Sequence, residues 1–139
     1  MTKLIKSLFF CFTLSLSSLA SSANPLSQPL SQQLSVAGQM TTDKFEQLLK
    51  QGFQSVIVNR PDQEAGNLVT ANQLRNIAEK SHVSLIYQPV VSGHITPQDI
   101  AEFAKYYNNL PKPVLMVCKS GNRSATLYQK AKEQGLLHE

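Results

Sequence analysis

The sequence predicts an α/β domain, a three-layer sandwich of helices around a central, mostly parallel sheet, and three observations predict it. Strand-like and helix-like segments alternate from Leu34 to the C-terminus. The run Val114-Leu115-Met116-Val117 is apolar on both faces, as suits a central strand covered by helices on each side. Directly after it comes a polar, reactive loop, Cys118-Lys119-Ser120-Gly121-Asn122-Arg123-Ser124, at the carboxyl end of a strand, where open α/β sheets bind their ligands.

The elements follow in order. Residues 1–23 carry Lys3 and Lys6, an apolar run from Leu8 to Leu16, and small residues ending Ser21-Ser22-Ala23. That is the layout of a secretory signal peptide, with cleavage after Ala23 or Ala20. The run is shorter than the ~20 residues that span a bilayer and is diluted by Ser and Thr. The mature chain is therefore expected to be secreted, in a bacterial periplasm, without stable membrane insertion. Residues 24–33, rich in Ser, Gln and Pro, read as a mobile leader, and 34–139 as one folded domain.

Leu34 to Ala37 is a first strand, and Thr41 caps a helix that turns Phe45, Leu48 and Leu49 inward before Gly52 ends it. Ser55 to Asn59 is the next strand, followed by a loop holding Arg60, Pro61, Asp62, Glu64 and Gly66. A helix from Thr70 to Lys80 buries Leu74, Ile77 and Ala78, and Val83 to Gln88 forms a further strand. Thr96-Pro97 with Asp99 in the first turn starts a helix whose inner stripe is Ile100, Phe103, Ala104 and Tyr107. Pro111 and Pro113 break it, the apolar strand follows, and Ser124 to Gln134 is the last helix, closed by Gly135.

Charge and cysteine content narrow the function. Of 13 basic and 9 acidic residues, two basic ones lie in the signal segment, which leaves a mature domain too weakly basic to imply nucleic acid. Lys130-Ala131-Lys132 reads as a solvated helix face. Cys11 departs with the signal peptide, so Cys118 is the single thiol of the mature chain. One cysteine cannot bridge within the chain, and a free thiol in an oxidising compartment calls for a reason.

The loop supplies that reason. Unpaired N–H groups at a helix start, together with the helix dipole, favour negative charge, lowering the pKa of Cys118 and binding an incoming anion through the backbone of Lys119, Ser120, Gly121 and Asn122. Gly121 permits the dihedrals that aim those donors inward. Arg123 offers a planar fork for two oxygens of a phosphate-like group, and Ser124 can donate to the thiolate or to a departing sulfur. Cys118 is thus the expected nucleophile and Arg123 its electrostatic partner, with no cofactor and no metal.

The loop looks like the active-site loops of cysteine-dependent phosphatases and rhodanese-like sulfurtransferases. Together with Val36-Ala37-Gly38-Gln39, Gly52-Phe53, Val56-Ile57-Val58-Asn59-Arg60-Pro61-Asp62 and Pro89-Val90, it resembles the phosphatase-like domain of the beta-lactamase hydrolase-like proteins. That resemblance implies a tyrosine-phosphatase-like fold and a small anionic or phosphorylated substrate. It covers Leu34 to Gly135 and implies no zinc chemistry.

Two features depart from ordinary tyrosine phosphatases. Only four residues separate Cys118 from Arg123, the rhodanese-like spacing, and Val117 precedes the cysteine where phosphatases usually have histidine. A general acid is also not evident. Asp62 is the first candidate, with Glu64 and His94 behind it. Asp99 reads as a helix-start residue, and His82 and His138 have no motif around them. Three functions remain open: a hydrolase working through a Cys118 thiophosphate, a sulfurtransferase working through a Cys118 persulfide, and a non-catalytic anion-binding or redox-sensing module.

Overall fold

The computed structural model describes residues 25–139, so the expected signal segment lies outside the described residues. In chain order the elements are β1 (Gln28–Pro29), β2 (Leu34–Ala37), α1 (Thr42–Leu49), β3 (Ser55–Val58), α2 (Ala71–Lys80), β4 (Ser84–Tyr87), α3 (Pro97–Asn109), β5 (Val114–Val117) and α4 (Asn122–Glu133). The sheet order is β1-β2-β5-β3-β4. β5 pairs in parallel with β2 and β3, β3 pairs in parallel with β4, and only β1 runs antiparallel.

Alternation along each strand divides the core into two layers. Leu115 and Val117 of β5, with Val56 and Val58 of β3, face Phe45, Leu48 and Leu49 of α1 and Leu74 and Ala78 of α2. Val114 and Met116, with Ile57, face Ile100, Phe103 and Tyr107 of α3 and Leu127 and Ala131 of α4. All four residues of β5 are buried and apolar, as suits the central strand covered on both faces. The predicted three-layer α/β sandwich with a mostly parallel sheet is the observed fold.

Local chemistry sets the helix starts. Thr41, Thr70 and Thr96 each accept from a backbone N–H inside their helix, and Thr70 with Gln73 and Thr96 with Asp99 complete capping boxes. Ile77 is only partly buried, while Ala71 is buried. Residues 24–33, expected to be a mobile leader, instead give Gln28–Pro29 pairing with β2, and Leu26 and Leu30 pack against the two core layers. Two leucines and a two-residue edge pairing are enough to hold a segment whose composition looks too polar to bury anything.

α4 begins at Asn122, two residues before the position expected from sequence, with Gly121 as its N-cap at φ 91°. Arg123 and Ser124 therefore sit in the first turn of the helix, and both are buried.

Candidate active site

β5 ends at the nucleophile. The Cys118 N–H continues the ladder by donating to Ala37 O at 3.1 Å, and the Asn59 N–H does the same to Val117 O at 2.8 Å. The chain then curls over Cys118 so that the Gly121 N–H donates to the Cys118 sulfur at 3.0 Å. Gly121 adopts a left-handed conformation that L side chains rarely take, which is its reason for being glycine. Being the N-cap, it has no side chain to offer the first turn, whereas the other three helices are capped by threonine. The Asn122 N–H meets only the Ser120 hydroxyl oxygen, at a long 3.4 Å, and the Ser124 N–H faces the Cys118 sulfur, so the start of α4 is turned to the loop and to negative charge there.

A second glycine brings β2 against this loop. A Cβ on Gly38 would stand 3.0 Å from Lys119 O and 3.1 Å from Ser120 Cα, both backbone atoms. The cradle therefore rests directly on the end of β2.

Burial pushes the Cys118 thiol up, but hydrogen bonds from the Ser124 backbone and hydroxyl and from the Ser120 and Gly121 N–H groups outweigh it. The net result is a pKa below the ordinary cysteine value. The Ser124 hydroxyl has one proton and two acceptors, however. It donates to Asn59 Oδ1 at 2.8 Å, and Asn59 is held in that orientation by its own Nδ2 donating to Gln88 O at 3.2 Å. We assign the hydroxyl proton to Asn59 in the resting protein, because that bond has good geometry between two fully buried groups, and attribute the thiolate's stabilisation mainly to the N–H donors.

Arg123 is held from two distant segments. Its Nη1 donates to Val90 O at 2.9 Å, its Nη2 donates to Glu64 Oε1 at 3.0 Å, and Nη1 also lies 2.9 Å from Glu64 Oε2. The Glu64 carboxylate thus covers the end of the guanidinium. Nε, on the side edge, is buried with no hydrogen-bond partner among the described residues. Hydrogen bonding from Arg123, with the positive charges of Arg123, Arg60 and Lys119, holds the Glu64 carboxyl below the usual carboxylate range. Arg60 is itself buried, donating to Gln39 Oε1 at 2.5 Å and Ala65 O at 2.9 Å. Its Nε is 3.2 Å from Glu64 Oε1, but not aligned as a hydrogen bond, so we read that contact as charge pairing.

A cavity of about 490 Å³ opens over the loop, lined by Cys118, Lys119, Ser120, Asn122 and Arg123. Its farther walls are Ser92, Gly93 and Ile95 on one side and Thr126 and Lys130 of α4 on the other. The structure thus gathers these loop residues around one space, with Gly121 and Ser124 contacting the sulfur from behind.

Asp62 does not join them. Its Oδ1 accepts from Ala71 N at 2.7 Å at the start of α2, its N–H donates to the Tyr87 hydroxyl, and it does not line the cavity. Glu64 is the carboxylate brought to the site. His94 is exposed on a turn where its N–H donates to Val91 O, and Asp99 serves the α3 capping box as expected. Gly38, Asn59, Val90, Thr126 and Lys130 were not among the candidate site residues: the first three entered within the segments that carry the family resemblance, and Lys130, expected on a solvated helix face, lines the cavity. Of these only Gly38 and Asn59 carried a signal, a small residue and a buried-type amide each ending a strand. No group of three or more His, Cys, Asp or Glu that could hold a metal occurs among the described residues.

The model of the phosphatase-like domain of beta-lactamase hydrolase-like proteins matches residues 28–134. The chain belongs to that family. Beta-lactamase hydrolase-like proteins of Xylella fastidiosa and Agrobacterium fabrum are 31% and 33% identical to it over 99 residues, 71% of this chain. The match spans 23% of the length of those relatives. Among solved structures, a Neisseria meningitidis protein described as a candidate phosphatase is 28% identical, with TM-score 0.69 over 76% of this chain and 77% of that one. The catalytic domain of a PP-IP phosphatase from S. cerevisiae, solved with citrate, has TM-score 0.62 at 15% identity over 78% of this chain and 65% of its own, a likeness of fold. Family and fold together make this a phosphatase-like domain of the tyrosine-phosphatase-like architecture.

Proposed function

We propose that this domain is a cysteine-dependent hydrolase of a phosphorylated small molecule, working through a Cys118 thiophosphate. One observation carries the reading: the buried, unpartnered Nε of Arg123, in the same loop as a lowered-pKa thiol and an uncapped helix start. The Nε and the helix start are donors that an oxyanion beside Cys118 would satisfy, and the thiol is the nucleophile it would meet there.

In the first step the Cys118 thiolate attacks phosphorus, the S–P bond forms, and the bond to the leaving oxygen breaks. The N–H groups of the loop and the Arg123 Nε edge hold the phosphoryl oxygens. In the second step water attacks phosphorus, the S–P bond breaks, and the thiolate returns as inorganic phosphate leaves. The Ser124 hydroxyl can turn from Asn59 to receive the departing sulfur. None of the residues lining the cavity is Asp, Glu or His, so the proton for the leaving oxygen comes from water or from a lysine of the lining, Lys119 or Lys130. Glu64 is bound to Arg123 and acts as its positioner.

Loop length favours a second reading, sulfur transfer through a Cys118 persulfide, because four residues between Cys118 and Arg123 make a tighter ring than that of tyrosine phosphatases. The mass of the unreduced protein decides between them after incubation with thiosulfate or, in parallel, with para-nitrophenyl phosphate and an acid quench. A phosphoryl adduct absent from Cys118→Ser supports the hydrolase, and a gain of one sulfur overturns it in favour of sulfur transfer. No adduct from either substrate leaves an anion-binding or redox-sensing module.

Secretion to a bacterial periplasm belongs to the same proposal and rests on the layout of residues 1–23. Mass spectrometry of the protein from its native host tests it: a chain that still begins at Met1 would sink it.

A further inference from the structure

The cavity is larger than a phosphoryl group requires and falls in the range of pockets that enclose whole small molecules. Its charge is one-sided. Arg123, Lys119 and Lys130 line it, and no Asp or Glu does. The charge of Arg123 is already met by Glu64 at 2.9 Å. Lys119 stands at the cradle itself. Lys130 is different, because it lies away from the cradle and makes no salt bridge among the described residues.

The lysines at 130 and 132, alike in sequence, thus have separate surroundings. Lys132 reaches Glu139 at 3.8 Å and lies over the Tyr128 ring, while Lys130 faces the cavity. Asn122, Thr126 and Lys130 are spaced four apart and form one stripe of α4 along the cavity wall. At 1.5 Å of rise per residue, the Lys130 backbone lies roughly 10 Å along the helix from Arg123. Side chains on a helix lean toward its N-terminus, so the Lys130 ammonium is carried back toward the cradle. Between them Thr126 donates its hydroxyl proton to Asn122 O at 2.9 Å, leaving its oxygen lone pairs toward the stripe. Across the cavity Ile95 gives an apolar wall.

We propose that Lys130 forms a second anion subsite, so that the substrate class is a small molecule bearing two anionic groups: a phosphoryl group in the Cys118 cradle, and a phosphate or carboxylate one to two helical turns farther along α4. A short, partly apolar spacer against Ile95 joins the two. This rests on the hydrolase reading for the identity of the first group, but the second subsite is a matter of binding and is testable without turnover.

The experiment is calorimetric titration of the wild-type protein with two unreactive probes, pentylphosphonate and the five-carbon bisphosphonate with a phosphonate at each end. The bisphosphonate is expected to bind roughly fivefold more tightly, the scale of one charge contact to an exposed lysine. That advantage should shrink to about twofold in Lys130→Gln and persist in Lys132→Gln, whose lysine faces away. Equal affinity of the two probes in the wild type, or an advantage that survives Lys130→Gln, overturns the subsite. Para-nitrophenyl phosphate turnover, measured on the same wild-type sample, reports separately on the hydrolase reading. Turnover without a bisphosphonate advantage removes the subsite alone, and a Lys130-dependent advantage without turnover removes the hydrolase alone.

Discussion

Cys118 and Arg123 share one loop, yet their surroundings are assembled in opposite ways. The sulfur is held from close by, chiefly through N–H groups of Ser120, Gly121 and Ser124. The guanidinium is held from afar, by Val90 O and Glu64, partners 33 and 59 residues away in sequence. The nucleophile's environment is therefore a property of the loop's own backbone. The arginine's orientation is a property of the folded domain. Reactivity and anion recognition can then fail separately, although they meet within one cavity.

The largest test strikes where the local half leans on something remote. Gly38→Ala would drive a Cβ against Lys119 O and Ser120 Cα, and backbone cannot swing aside as a side-chain tip can. Turnover should fall about 100-fold, the scale of an ångström-sized misplacement of catalytic groups. Assays with para-nitrophenyl phosphate and thiosulfate on the purified variant measure this. Full activity would mean that the cradle keeps its shape without β2.

Glu64→Gln tests the remote half. The amide keeps the shape but loses the charge opposite Arg123, so kcat/KM should drop roughly tenfold. Cys118 alkylation by iodoacetamide should keep the same pH dependence. A shift in that dependence would show the two halves to be coupled. The acid side has a definite sign: the folded-state pKa of Glu64 is depressed below 4.5, so its contribution to stability is present above that value and lost as pH falls through the folded pKa. The difference in Tm between wild type and Glu64→Gln should therefore fade in that acid range.

Ser124→Ala is the smallest change. Its hydroxyl proton rests on Asn59 and the N–H groups carry the thiolate, so the alkylation midpoint should stay close to that of the wild type. The thiolate is the form favoured by the fold, so the stability it contributes is lost as pH falls through the folded pKa, at the same pH in variant and wild type. A midpoint that rises toward the ordinary value of 9.0 would mean that the hydroxyl proton serves the thiolate and not Asn59.

The same contrast explains what the sequence disclosed. β5 was legible because its four residues are all apolar, as suits a strand covered on both faces, and α3 because Thr96, Pro97 and Asp99 state its start in chemical shorthand. The cradle was legible because its donors are contiguous. Glu64 was not separable from Asp62, since both lie on the loop after β3 and only the tertiary structure decides which turns toward Arg123 and which toward Ala71. Lys130 and Lys132 posed the same difficulty on α4, where a two-residue step changes the helix face. The start of α4 was misplaced because a glycine N-cap gives no polar side-chain signal, and Gln28–Pro29 because edge pairing needs so little hydrophobic surface.

The position of β5 also fixes when this site can exist. β2 and β3 do not touch each other as strands; β5 lies between them and pairs with both. During synthesis, which proceeds from the N-terminus, the first half of the sheet has no seam until the strand bearing the nucleophile arrives. The thiol is thus delivered by the piece that closes the sheet, and a nascent or truncated chain ending before Val114 has neither a joined sheet nor a reactive centre. Chemical competence and completion of the fold are one event.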